Sequence, residues 1–135
     1  MTSQTAFTLK SKTKGFHLVT DEVVKAMGKL PENGLLHLFI QHTSAALAIN
    51  ENADPTVRED LEASFDRLAP EAASYKHNDE GPDDMPAHVK SVLSGSSISI
   101  PIMNGRLALG AWQGIYLCEF RKLPHARKLI ATIIS

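Results

Sequence analysis

Three histidines, His42, His77 and His88, stand where polar connections meet ordered segments, and imidazole is the commonest protein ligand for metal ions. Three such ligands with one coordination position left open form a catalytic metal arrangement, able to polarise a phosphoryl oxygen or to activate water. Their separations, 35 and 11 residues, match no compact ligand motif. On spacing alone each is as well explained as a hydrogen-bonded structural histidine, the reading that best suits His37 inside an apolar run. Asp84 precedes His88 by four residues, one helical turn. That carboxylate could bind a metal, orient the imidazole or carry a proton. Its competing assignment is an acid just outside a helix N-terminus, answering the macrodipole.

Further chemistry-bearing groups lie elsewhere. Asn50-Glu51-Asn52-Ala53-Asp54 packs two carboxylates and two amides into one connection, either ordering a loop or facing a substrate, with Asp54 also suited to capping a helix. Trp112-Gln113 sets the single tryptophan beside an amide, a pairing that could stack on and hydrogen-bond a heterocycle; a core tryptophan is the alternative. Arg121, Lys122, Arg127 and Lys128 give the C-terminal region a basic patch suited to a phosphate, or a solvated turn. Cys118 sits in an apolar run with no neighbouring base and reads as a buried small hydrophobe.

The elements that must position these groups follow from periodicity and punctuation. Residues 5–10 and 15–19 read as strands, and Thr20-Asp21-Glu22 supplies a capping Thr and first-turn acids for a helix ending near Gly28. An Asn33-Gly34 turn leads into strands LLHLFIQ and HTSAALAI. Asp54-Pro55 opens an amphipathic helix through Val57, Leu61, Phe65 and Leu68. From Glu71 to Pro86 five acids with Gly81, Pro82 and Pro86 leave no apolar face, which predicts a long loop. A short helix from Pro86 to about Leu93 follows, then a strand through Ile98, Ile100 and Ile102, an Asn104-Gly105 hairpin turn, an apolar stretch over 107–120 and a last strand over 129–134. Strands dominate without regular βαβ alternation, so the class is α+β: a mostly antiparallel β-sandwich with about three helices, in a single domain over 1–135.

Composition narrows the partners. Lys plus Arg gives 14 against 15 Asp plus Glu, a net charge of −1 that offers no overall positive field for a nucleic-acid backbone. No apolar run approaches a membrane span, and the first residues lack a secretory apolar core, so a cytoplasmic protein is expected. The lone cysteine fits a reducing compartment.

Taken together, HTSAALAINENADPTVRED at 42–60, YKHNDEGPDDMPAHVKSVLSG at 75–95 and GRLALGAWQGIYLCEFR at 105–121, with GFHLVTDEV at 15–23, closely resemble the YjbQ-like family of small bacterial and archaeal proteins. The resemblance implies a β-sandwich assembled as a homotrimer, a histidine and acid cluster holding a divalent metal, and, for some members, thiamine-phosphate synthase activity, in which a pyrimidine pyrophosphate is joined to a thiazole phosphate. Carried over by motif, His42, His77 and His88 are metal-ligand candidates, zinc being the first expectation. Asp84, His88 and Glu51 are catalytic candidates, Trp112, Gln113, Arg121 and Arg127 substrate-binding ones, and Glu119 a site-lining one. Ala111 stands where the family often has Thr before Trp-Gln, and KLPHAR replaces a Gly-rich turn, which bears on substrate identity. The same site chemistry also suits a metal-assisted hydrolase of a phosphorylated metabolite, or a trimeric protein that binds one without turnover.

Overall fold

In a computed structural model the described residues are 1–71 and 74–135; residues 72 and 73 of the expected 71–86 loop lie outside them. The elements run β1 (Thr2–Lys12), β2 (Gly15–Leu18), α1 (Thr20–Met27), β3 (Asn33–Ile40), β4 (Ala45–Glu51), α2 (Pro55–Leu68), α3 (Asp84–Ser94), β5 (Ser97–Met103), β6 (Arg106–Leu107), β7 (Gln113–Glu119) and β8 (His125–Ile134). Every strand pair is antiparallel, in a five-stranded sheet ordered β1-β8-β3-β5-β6 and a three-stranded sheet ordered β2-β7-β4. The α+β sandwich expected from the strand pattern is therefore the architecture found.

Alternation decides the layering. Leu36, Leu38 and Ile40 of β3, with Leu129 and Ala131 of β8, turn one face of the large sheet onto Leu47, Ile115 and Leu117 of the small one. The opposite face of the small sheet, with Ala46, Tyr116 and Cys118, meets Ala87 of α3 and Phe65 of α2. Strand β7 is thus buried on both sides, which is why its sequence reads as a continuous apolar run instead of an alternating one. Phe16 packs edge-on against Phe65 with ring centroids 5.3 Å apart, and Phe65 stacks on Phe120 at 5.9 Å, fixing α2 over the sheet. The buried ammonium of Lys90 reaches Asp66 of α2 at 2.6 Å and so ties α3 to α2.

Some boundaries move. Asp54 caps α2 as its sequence indicates, its carboxylate accepting from the Thr56 N–H at 2.9 Å. Asn104 and Gly105 both take positive φ, 54° and 73°, the backbone a tight hairpin requires. Asn33-Gly34, by contrast, is the start of β3 and not a turn; the glycine is there because a Cβ would sit 2.5 Å from the Ile134 carbonyl oxygen. Thr20 does not cap α1: Val19 holds that position, and the Thr20 hydroxyl accepts from the Ile115 N–H. Residues 42–44 connect β3 to β4 instead of extending a strand, and the 107–120 stretch divides, with Trp112 in a turn before β7. Helix α3 begins at Asp84, two residues before the expected start at Pro86.

Candidate metal centre

That earlier start places Asp84 and His88 on successive turns of one helix face. Asp84 is almost fully buried, its side chain 3% exposed, and both its oxygens are engaged. Oδ2 lies 2.6 Å from Nε2 of His77, which comes from the preceding loop, and 3.1 Å from Nε2 of His88. Oδ1 accepts from Arg121 Nη1 at 2.8 Å. Burial opposes ionisation of Asp84, but the His77 hydrogen bond and the neighbouring positive charges outweigh it and hold the carboxyl below the usual range. His77, in turn, is raised above the usual imidazole value, chiefly by its hydrogen bond to Asp84.

The orientation of His88 is fixed from its far side. Its Nδ1 lies 2.9 Å from the Thr43 carbonyl oxygen, which can only accept, so Nδ1 carries the proton. In the neutral ring Nε2 then presents a lone pair to the Asp84 carboxylate oxygen, two acceptors 3.1 Å apart. A proton or a cation between them removes the conflict. One ligand atom each from His77, Asp84 and His88 lies within 4.8 Å of the other two. Zinc bonds of about 2.0–2.1 Å at tetrahedral angles put ligand atoms roughly 3.3 Å apart, so the 3.1 Å His88–Asp84 spacing already suits a shared divalent ion and the 2.6 Å His77–Asp84 contact would open by about 0.7 Å to match. A cleft of about 390 Å³ adjoins His77, walled by Tyr75, Asn78, Gly81 and Pro82.

His42 does not join this group. Its Nε2 accepts the Lys128 N–H at 2.8 Å, which fastens the β3–β4 connection to β8, and burial followed by the Arg127 charge lowers its pKa. Arg121 contacts the cluster but not as a free phosphate ligand, since its guanidinium is divided among Asp83 at 3.0 Å, Asp84 and the Glu80 carbonyl. Arg127 is 3% exposed and paired with Glu119, its Nε 2.7 Å from Oε1. With Lys122 bound to Glu71, three of the four cations of the basic patch read from the sequence, Arg121, Lys122 and Arg127, are paired with the chain's own acids.

The remaining candidates occupy the other end of the fold. In the β4–β7 ladder Ala45 faces Glu119 and Glu51 faces Gln113, so the two ends lie about 20 Å apart at the usual strand rise. Glu51 accepts from the Asp54 N–H at 3.0 Å, and Gln113 Oε1 accepts from the Gly110 N–H at 2.7 Å. Trp112 is 69% exposed, contrary to a core assignment. The sequence reading missed Asp83, which fixes Arg121, and the Thr43 carbonyl; the Asp83-Asp84 doublet was the available signal for the first, and nothing local marks the second.

A two-sheet α+β sandwich with a His-Asp-His cluster at the start of a helix defines a small-protein class with a candidate metal centre. The chain belongs to the UPF0047 protein YjbQ-like family, which it matches over residues 5–135. It is 52% identical over 132 residues to UPF0047 protein YjbQ of Salmonella typhimurium, covering 96% of each chain, and 38% identical over 117 residues to UPF0047 protein YugU of Bacillus subtilis, covering 84% of this chain and 87% of that one. Among solved structures it resembles the Clostridium acetobutylicum protein of the YjbQ/UPF0047 family (TM-score 0.82, 38% identity, 96% and 98% covered) and the hypothetical protein APE1520 of Aeropyrum pernix (TM-score 0.83, 31% identity, 98% of each chain covered). No helix among the described residues is long and apolar enough to cross a membrane.

Proposed function

We propose that His77, Asp84 and His88 hold a divalent ion, zinc first, and that the protein is a metal-dependent enzyme acting on a small phosphorylated substrate. The geometry that carries this reading is the convergence of two imidazole nitrogens on one carboxylate oxygen: His88, its Nδ1–H turned to the Thr43 carbonyl, aims Nε2 at Asp84 Oδ2, and His77 Nε2 meets the same atom. Such a pre-set imidazole is what a metal site requires, and as a purely structural arrangement it would be repulsive unless protonated. The reaction that the family resemblance puts first is thiamine-phosphate formation: the thiazole nitrogen forms the new bond as pyrophosphate departs with its bonding electrons. The ion would supply charge neutralisation to that leaving group. Asp84 keeps the centre anionic, Arg121 fixes its outer oxygen, and the cleft beside His77 offers room for a substrate.

A second reading, metal-assisted hydrolysis of a phosphate ester, draws support from the ion pairing of Arg121 and Arg127, which leaves neither guanidinium free for a pyrophosphate. Assembly belongs to the same proposal. Leu35, Phe39, Pro101, Met103 and Ile134 are exposed on the outer face of the large sheet, and a cytoplasmic homotrimer would cover such a face. Only a neighbouring copy could then bring Glu51, Trp112 or Gln113 to the cluster. The test is turnover of both thiamine precursors beside a panel of phosphate esters, with metal content measured on the same samples. Asp84→Asn should reduce the true activity about 10²-fold or more. Near-normal turnover in that variant would detach the reaction from this site, and tight ligand retention without turnover would leave a binding protein.

A further inference from the structure

The connection between β3 and β4 is fastened at three consecutive residues. The His42 ring accepts from the Lys128 N–H, the Thr43 carbonyl from His88 Nδ1–H, and the Ser44 carbonyl from Arg127 Nη2 at 3.3 Å. Arg127 reaches Ser44 because Glu119, fully buried at the end of β7, grips its guanidinium across the gap between the two sheets. The same carboxylate accepts from the Arg121 N–H through Oε2 at 3.1 Å, and Arg121 then holds Asp84 Oδ1. Two lines therefore leave Glu119, one ending on His88 and the other on Asp84.

We propose that Glu119, together with Arg127, is a positioning residue of the His77–Asp84–His88 centre, setting His88 through the Ser44–Thr43 backbone and Asp84 through Arg121. This rests on the metal reading. An ion pair that only knits two sheets would have no reason to end at the same residue cluster by both routes. The two roles also differ in what they cost when removed. Replacing a buried pair by apolar side chains of similar size is often neutral for stability, whereas loss of groups that orient ligands typically weakens metal binding 10–100-fold.

The test uses the full chain as Glu119→Met/Arg127→Met, beside Arg127→Lys, which keeps a positive charge but loses the fork that reaches Ser44. Zinc and cobalt affinities are measured by titration, folding by thermal melting, and the His88 tautomer by nitrogen-15 NMR on metal-free protein. The expected result is a folded double variant with affinity lowered 10–100-fold, a smaller loss in Arg127→Lys, and a His88 ring no longer fixed with its proton on Nδ1. Unchanged affinity and an unchanged tautomer in a folded variant overturn the proposal. Should the double variant fail to fold, Arg127→Lys decides on the same readouts. Should the wild-type chain take up no divalent ion, the metal reading falls by itself, and an identical tautomer in wild type and Arg127→Lys overturns the positioning role independently.

Discussion

At the Ala45–Glu119 end of the β4–β7 ladder, carboxylates meet side chains: Glu119 meets Arg127, and beyond it Asp84 meets Arg121, His77 and His88. At the Glu51–Gln113 end they meet backbone. Glu51 accepts from the Asp54 N–H, Gln113 from the Gly110 N–H, and Asn52 donates to the Ala111 and Gln113 carbonyls at 3.1 and 3.0 Å. Both ends are rich in polar residues, so abundance does not separate them. What separates them is whether the groups converge on one another under burial or satisfy the turn that carries them.

The largest expected difference between the ends is in metal binding. His88→Ala should lower divalent affinity on the order of 10²-fold or more, since it removes a ligand and frees the Thr43 carbonyl, while Trp112→Ala should leave affinity unchanged. Equal losses, measured by titration of the two variants, would mean that the ends form one site between copies. A smaller effect, on stability alone, is expected from Asn52→Ala. Losing two hydrogen bonds to carbonyls should cost about 1–2 kcal/mol in denaturant unfolding with metal content preserved. A drop in metal content would dissolve the contrast.

The smallest effect concerns the α2–α3 tie and is read in acid. Burial works against ionisation of Asp66, but its hydrogen bonds from Lys90 and Lys14 prevail and place its pKa below the usual 3.8. A carboxyl lowered on folding stabilises fully above its ordinary value, and that contribution is lost as pH falls through the lowered one. Asp66→Asn should therefore be less stable than wild type at neutral pH, and the gap should close below pH 3.8. Melting curves across that range check it, and a constant gap would locate the effect in packing.

Much of this was legible in the residues. Asp54-Pro55 and Asn104-Gly105 carry their geometry locally, because a side-chain cap and positive-φ backbone depend on near neighbours. His77, Asp84 and His88 were legible through motif and helical spacing. Arg121 and Arg127 illustrate what was not. They stand six residues apart in one basic stretch, yet their partners come from α3 and from the opposite sheet, contacts that only the sandwich creates. Gly34 misled for a similar reason, since what demands a glycine there is the Ile134 carbonyl of a strand a hundred residues away in sequence. His42 stands apart from the cluster, its Nε2 engaged by a backbone N–H of β8 that nothing in its own neighbourhood of the sequence announces.

The burial of Cys118 has a practical consequence. Its thiol lies between the small sheet and the helices and is pushed up to about 12 by burial, so in the native protein it is shielded and protonated. Because no other cysteine exists, any thiol-directed reagent reacts at one place only, and only after the helical layer has lifted from β7. The chain thus carries a built-in clock: the rate at which Cys118 is alkylated counts openings of the layer that bears α3, Asp84 and His88, without a label having been introduced.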